Sequence, residues 1–530
     1  MRARYALLVV LAACNLSYPA DVAVDANRDA AAGDSGFADA APGTIAVHVA
    51  NARSFVRQGG SVSIPITLSR GAGVDSDVTI TVTSPPLSVQ FDALTIPTGQ
   101  SSGQLVAHAD AAAPYARATS TVHAAAGTAA SMDTLEIDVI GNPGAVDTTF
   151  GPNGTVEVGA SNATPVAIFA QSDRVVAVQI ARPSASGVQL TRLLRDGSAD
   201  STFGTSGVYY DELSSTTLTN FTTLAATTRP DGRFFLAGSG SNAGTESPFV
   251  VGVTADGLAD TNTPPVDLAI ADVRVRAVLA FDTDWVIAGW KGSNPAVADA
   301  YLKGSKDSVL PETIYSSSGF QEFKALLSQT QGRIVAVDGD ASTTLQFAVR
   351  RYDNTGTEDT SFQQSFPEPT MKPYVLGVAP DPHGFVAWGS GGGPLATGVH
   401  TVMAMWRSQD TGASDTTFGP TSKGVYESPA TTRGQIAVAV VPNPTDGGYF
   451  LIGYDVDVST SVGNDYVLEM VKLDPNGLPD TALGTQGVIR DTAITLQPIA
   501  AATRTDHRVA VLGIEDFGGV KKLVVRAYFY

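Results

Sequence analysis

A single cysteine among 530 residues excludes an intramolecular disulfide. Cations are also scarce, with 33 lysines and arginines against 52 aspartates and glutamates, for a net charge of −19. So acidic a surface repels phosphate backbones and argues against nucleic acid as a partner. Only 16% of the residues are charged at all, while 43% are hydrophobic, enough for a large core. Histidine is rare too: His48, His108, His123, His383, His400 and His507 show no metal-ligand spacing. The chain has no His-Glu-x-x-His, no Gly-x-Ser-x-Gly and no Walker loop, so these metalloprotease, hydrolase and nucleotide-binding signatures are missing.

What the chain does contain is turn and strand material. Gly (53) and Pro (30) are plentiful among runs of Thr, Ser and Val, which favours an all-β fold in several domains. The first 13 residues read as a signal peptide: Arg2 and Arg4, then an apolar run from Tyr5 to Ala13 that is too short to span a bilayer. Leu11-Ala12-Ala13-Cys14 resembles the lipobox of bacterial lipoproteins. That resemblance implies lipidation of Cys14, which becomes the new N-terminus, and stable anchoring by several acyl chains. The aspartate that retains some members of the family at the inner membrane is replaced by Asn15, so the expected location is the bacterial outer membrane. An ordinary signal peptide with a chance cysteine is the alternative. Residues 14–43 are rich in Ala and Asp with no sustained apolar period, and they read as a disordered tether with a reach on the order of 30 Å.

From residue 44 to 141 the pattern has period two. Val62, Ile64, Ile66 and Leu68 alternate with Ser63, Pro65 and Thr67, and Leu135, Ile137 and Val139 alternate with Glu136 and Asp138. These are strands with one wet face, about a hundred residues of them, as in an antiparallel sandwich. Pro65 lacks an N–H and predicts an edge strand. The pattern is similar to the immunoglobulin-like modules of bacterial envelope proteins, without a Cys-Trp-Cys signature, and implies a spacer or adhesive role.

Residues 142–530 are repetitive. Turns recur at Asp147-Thr148-Thr149-Phe150-Gly151, Asp200-Ser201-Thr202-Phe203-Gly204, Asp260-Thr261-Asn262, Asp359-Thr360-Ser361-Phe362, Asp415-Thr416-Thr417-Phe418-Gly419 and Asp480-Thr481-Ala482-Leu483-Gly484. A remnant near Lys306-Asp307-Ser308 fills the widest gap. Between the turns lie hairpins such as Asp231-Gly232-Arg233-Phe234-Phe235, seven in all, and a strand before each turn. About four strands in 50–65 residues make one propeller blade, and the region accommodates seven of about 56 residues. The first repeat lacks a strand before its turn and the last, Leu523 to Phe529, lacks a turn after its strand, so the two should share a blade. The motif, seen at Asp196, Gly197, Asp200, Phe203, Gly204, Gly207 and Val208, resembles the delta-60 repeat family of bacterial proteins. That family implies a propeller and no settled activity.

Each motif residue has a structural use. Asp-Gly makes tight turns, Asp200 can close an Asx-turn, and Phe203 and its equivalents can fill the gap between blades. Calcium at Asp474-Pro475-Asn476-Gly477 is the competing reading, but no copy has EF-hand spacing and no cofactor is expected. Trp285, Trp290, Trp388 and Trp406 read as packing residues, with a sugar platform as the alternative. Asp455 and Asp457 share a strand face, read as solvated, with acid–base work as the alternative. The expected function is an anchored module that binds or scaffolds protein or glycan partners; the alternative is a propeller hydrolase or lyase acting on polysaccharide.

Overall fold

The computed structural model describes residues 40–530 except 160–161, 182–186, 243, 283, 293–298, 306–311, 316–320, 330–331, 341–346, 354, 363–372, 392–400, 422, 430–433, 457–465, 485–486 and 518–519. Cys14, nearly all of the tether, the remnant at Lys306-Asp307-Ser308, His400 and Asp457 lie outside the described residues. The described chain is all-β and divides into two units: one runs to Thr149 and takes in Tyr528–Tyr530, and the other holds Phe150–Ala527.

The first unit is a pair of sheets. One has the order Ile45–Val49, Ser61–Arg70, Ser102–Ala109, Val89–Phe91; the other has the order Arg53–Arg57, Ala129–Ile140, Arg117–Ala126, Val78–Thr83, Leu94–Ile96. Pairing is antiparallel apart from Arg53–Arg57, which runs parallel to Ala129–Ile140. Alternation fills the core as expected, with Ile64, Ile66, Leu135 and Ile137 buried.

Two expectations fail in this unit. The strand carrying Pro65 is interior to its sheet, between Ile45–Val49 and Ser102–Ala109. It is tolerated because the neighbouring strand ends at Val49, opposite Ile66; beyond it the Pro65 carbonyl still accepts the Ala50 N–H, and no ladder bond from residue 65 is required. Asp138, read as facing solvent, is fully buried, and Arg53 and Arg117 reach its carboxylate at 2.9 and 3.2 Å. At the far end of the sequence, Phe529 lies edge-on to Tyr115 at 4.6 Å and exchanges backbone bonds with Gly144 and Ala145.

The second unit is a β-propeller. Its first sheet is Thr164–Gln171, Arg174–Ala181, Gly187–Leu193, Val208–Asp211, and its second is Thr219–Thr228, Phe234–Asn242, Thr245–Val253, Val266–Asp267. The third is Val273–Ala280, Trp285–Lys291, Asp299–Gly304, Thr313–Tyr315. The fourth shows Gln321–Ser328, Ile334–Asp340 and Phe347–Tyr352 among the described residues. The fifth is Pro373–Asp381, Gly384–Gly391, Val402–Gln409, Val425–Glu427, and the sixth is Gly434–Pro442, Tyr449–Val456, Tyr466–Leu473, Val488–Asp491. In the last sheet, Leu496–Arg504, Arg508–Phe517 and Val520–Phe529 are joined by Thr155–Gly159 from the start of the unit.

The first strand of each sheet packs on the first strand of the next, and Leu496–Arg504 packs on Thr164–Gln171, so these strands form a closed inner ring. The strands bury both faces: Val175, Val176, Ala177 and Val178 are all inaccessible, as are Ile287, Ala288, Val335 and Ala336. A sheet sandwiched between two others has no wet face, which is why these strands read as continuous apolar runs.

Closure is made by chain ends. Thr155 pairs with Arg526 and Val156 with Val525 in antiparallel register. Arg526 adds hydrogen bonds to Thr155 Oγ1 at 2.8 Å and to Asp491 at 2.7 Å, the latter reaching the preceding sheet. Pairing the last strand with the first removes the sheet edges that would otherwise be open to aggregation. Deleting residues 523–530 is expected to lower the melting temperature by many degrees or to yield aggregated protein in size-exclusion chromatography. A truncated chain melting within a degree or two of the intact one would show that closure contributes little.

Candidate functional site

The repeat motif builds the joints between sheets. Asp200 Oδ1 accepts the Thr202 N–H at 3.0 Å and its hydroxyl at 2.6 Å, forming an Asx-turn. Asp147, Asp359 and Asp415 do the same with Thr149, Ser361 and Thr417. Asp480 keeps only the backbone bond, to Ala482. The second carboxylate oxygen takes a cation eight residues upstream on the third strand: Arg192 on Asp200 at 2.8 Å, Arg351 on Asp359 at 2.7 Å, Arg407 on Asp415 at 2.8 Å and Lys472 on Asp480 at 2.6 Å. Hydrogen bonds from Ser361 and Arg351 hold the Asp359 carboxyl down at about 2.

The same guanidiniums lie over the motif phenylalanines. Arg192 is 4.7 Å from the Phe203 ring, Arg351 the same from Phe362, and Arg407 the same from Phe418. Each also donates across the joint to a carbonyl of the following sheet's turn: Arg192 to Ala255, Arg351 to Asp410, Arg407 to Pro475. Phe150, Phe203 and Phe418 are fully buried. The glycine after each phenylalanine donates its N–H to the next turn, Gly151 to Asp196, Gly204 to Asp256 and Gly419 to Asn476, each at 2.8 Å.

The Asp-Gly glycine therefore has a second use besides its positive φ. A Cβ on Gly257 would lie 2.7 Å from the Phe203 ring, and one on Gly477 would lie 2.6 Å from Phe418. Repeat spacing exposed the aspartates and phenylalanines; the partner cation at minus eight was missed, though Arg192, Arg351, Arg407 and Lys472 stand in equal register before their aspartates. Where Gly252 occupies that position, Arg233, in the turn just before the second strand, reaches Asp260 instead, at 3.1 Å.

Other singled-out residues are dispersed. Asp474 Oδ1 accepts the Asn476 and Leu478 amides at 2.8 Å and serves the turn. Among the described residues no group of three or more His, Cys, Asp or Glu side chains converges as a metal site. His383 is exposed beside Asp381, and His507 is half-buried at positive φ. Trp290, Trp388 and Trp406 are buried, and Trp285 stacks on Phe235 at 6.0 Å, so none of these described faces resembles an open sugar platform.

Asp455 requires correction. It lies on the second strand of the sixth sheet, an interior position, and is 2% exposed rather than solvated. Glu469, 1% exposed on the adjoining strand, accepts Gln435 Nε2 at 2.7 Å, and Arg490 reaches Glu469 at 2.6 Å and Asp455 at 3.8 Å. Burial pushes the Glu469 carboxyl above its ordinary range, and Arg490 and Gln435 offset this only in part. The sequence pattern could not reveal this, because a carboxylate between apolar neighbours reads as the wet half of an alternation. At the opposite end of the ring from the pair, Asp173, Arg174, Leu194, Arg195 and Asp196 line a shallow groove of about 340 Å³.

No family model matches the chain, and no curated protein matches it. Among solved structures it is similar to a quinoprotein alcohol dehydrogenase-like protein of Bacteroides thetaiotaomicron, at 9% identity and a TM-score of 0.33, covering 83% of this chain and 93% of that one. It is also similar to the β-propeller domain of the Trilobed protease of Pyrococcus furiosus, at 9% identity and a TM-score of 0.36, covering 69% and 95%. A chimeric titin Z1Z2 matches at 12% identity and a TM-score of 0.14 over 40% of this chain.

Two outcomes follow from this geometry. Gly257→Ala should cost about 1–3 kcal/mol, from positive φ and the Phe203 collision, and Arg407→Met about 3–5 kcal/mol by stranding the buried Asp415 carboxylate. Urea titration of each variant reads both, and losses under half a kcal/mol would contradict the joint described here. For Glu469, a raised folded pKa means that its contribution is fully present below the unfolded value and is lost as pH rises through the folded one. Melting curves from pH 4 to 8 should therefore move in favour of Glu469→Gln relative to wild type as pH rises; a constant difference would refute this.

Proposed function

We propose that this protein is a cell-envelope lipoprotein, lipidated at Cys14 and destined for the outer membrane. An immunoglobulin-like spacer carries a seven-bladed propeller of delta-60-type repeats that binds or scaffolds a protein or glycan partner. The observation that carries the binding reading is the unequal use of the two ends of the ring. At the end bearing the repeat turns, the motif side chains are spent on joints: Asp200, Asp359 and Asp415 on their own turns, and Arg192, Arg351 and Arg407 on the next. Among the described residues, the connections at the other end, which lead from one sheet to the next, are of unequal length, from four residues between Asp491 and Leu496 to seven between Asp211 and Thr219. Varied connections on a rigid scaffold are the usual seat of recognition.

A second reading, a hydrolase or lyase acting on polysaccharide, is favoured by one observation, the buried Asp455 and Glu469 beside Arg490. A carboxyl raised by burial suits a general acid. Fold alone decides neither.

Anchoring is tested by cell fractionation. Cys14→Ser should move the protein from the membrane fraction to the soluble one, since lipidation needs the thiol; a variant that stays with the membrane would refute the lipoprotein reading. Incubation with polysaccharides separates the other two readings. Capture without shortening of the glycan supports the module, whereas reducing-end release that Glu469→Gln abolishes supports the enzyme.

A further inference from the structure

The bridge that ends each third strand is held in two ways. In the first, second, fourth, fifth and sixth sheets it joins residues six apart in the chain, as Leu193 with Ala199 and Leu473 with Pro479. A tight turn lies inside every one of these bridges. In the first sheet it is fastened by the Leu194 N–H on the Ser198 carbonyl at 2.8 Å, and in the sixth by the Asp474 N–H on the Leu478 carbonyl at 2.8 Å. In the last sheet the same bridge joins Tyr528 with Val146. No tight turn connects these two, because they stand at opposite ends of the repeat region. The entropy lost on bringing two points of a chain together grows with the length between them, so this bridge needs contacts that the others do not.

The first unit supplies them. Tyr528–Tyr530 belong to that unit, although the strand Val520–Phe529 is continuous and its residues 523–526 pair with Thr155–Gly159. The Phe529 N–H donates to the Ala145 carbonyl at 2.9 Å, and the Gly144 N–H donates to the Phe529 carbonyl at 2.8 Å. Phe529 is inaccessible, and its ring stands edge-on to Tyr115 at 4.6 Å. Gly141 leaves the space for that ring, since a Cβ there would run into it. Arg57 ends the strand that runs parallel to Ala129–Ile140. Its guanidinium donates to the Tyr530 carbonyl at 2.9 Å and to the Gly141 carbonyl at 3.2 Å. One side chain thus ties the end of the last strand to the segment that leads into the first repeat turn. These are the two pieces that a tight turn joins in the other sheets.

We propose that the first unit is the clamp of the ring: it takes the place of the missing turn, and closure at the last sheet depends on the hold of Arg57, Tyr115 and Gly141 on Phe529 and Tyr530. The unit's role then exceeds that of a spacer. Its contacts suit the task, because an edge-to-face aromatic pair adds to area burial and a charged donor makes a stronger hydrogen bond than a neutral one. Loosening Phe529 frees the bridge at Tyr528 and, next along the strand, the pairing of Arg526 with Thr155. The ring then opens at one sheet while the joints elsewhere stay made. The inference holds whichever partner the propeller binds.

Hydrogen exchange of the full chain, read by mass spectrometry, tests it. In R57Q/Y115L, residues 155–159 and 523–526 should exchange about tenfold faster than in wild type, a local opening, while residues 175–178 keep the wild-type rate. R57K/Y115F keeps a charged donor and a ring, and should stay within about threefold of wild type at residues 155–159 and 523–526. Exchange there within about twofold of wild type in R57Q/Y115L would overturn the inference, whether or not residues 135–139 of the first unit had lost protection. Equal acceleration at residues 175–178 would also overturn it, because that marks general destabilisation instead of opening at one sheet.

Discussion

The propeller depends on the joint made by a buried aromatic ring, a cation and a glycine that cannot be anything larger. In the first joint, Phe203 fills the space above Gly257, Arg192 covers the ring, and Asp200 holds Arg192. The guanidinium is the member that acts in two directions, bonding its own sheet's turn and the next sheet's carbonyl at Ala255. A cation buried at 4% exposure is costly to desolvate, and it is accommodated because a carboxylate, a hydroxyl and a carbonyl all accept from it. Without that arrangement adjacent sheets would meet only through non-directional apolar contact, which fixes spacing less well than it fixes burial.

The joint tolerates imperfect copies. Lys472 replaces arginine at Asp480, and Leu483 fills the buried place of the phenylalanine. At the second sheet, Arg233 substitutes from the turn before the second strand. The requirement is for a cation at one point in space and an apolar plug beside it, and several positions in sequence can supply each. Degenerate repeats therefore still stack, because packing tests volume and charge rather than identity.

Locking one end leaves the other to vary. Strand positions outside the motif turns carry charged groups that the joints do not use: Arg276 and Lys324 with Glu322, and Arg490 with Glu469 and Asp455. The first set joins two consecutive sheets, and the second joins three strands of one sheet. The repeated frame thus carries chemically distinct sectors.

Much of this was legible in the sequence. Recurring Asp-Thr-Thr-Phe-Gly turns and apolar strands specify small antiparallel sheets, and the unmatched first turn and last strand specify that chain ends meet, because turn chemistry and strand period are local properties. Alternation likewise placed Ile64 and Ile137 in a sandwich core. Only the tertiary structure decided what lies between sheets. The interior place of the Pro65 strand depends on where a neighbouring strand stops, and the burial of Asp138 and Asp455 depends on cations brought from other strands. The register shifts within the first strands depend on strand pairing, which a sequence does not display. In each case the deciding energy is a pairing between residues distant in the chain, and period and composition record only what each residue does to its near neighbours.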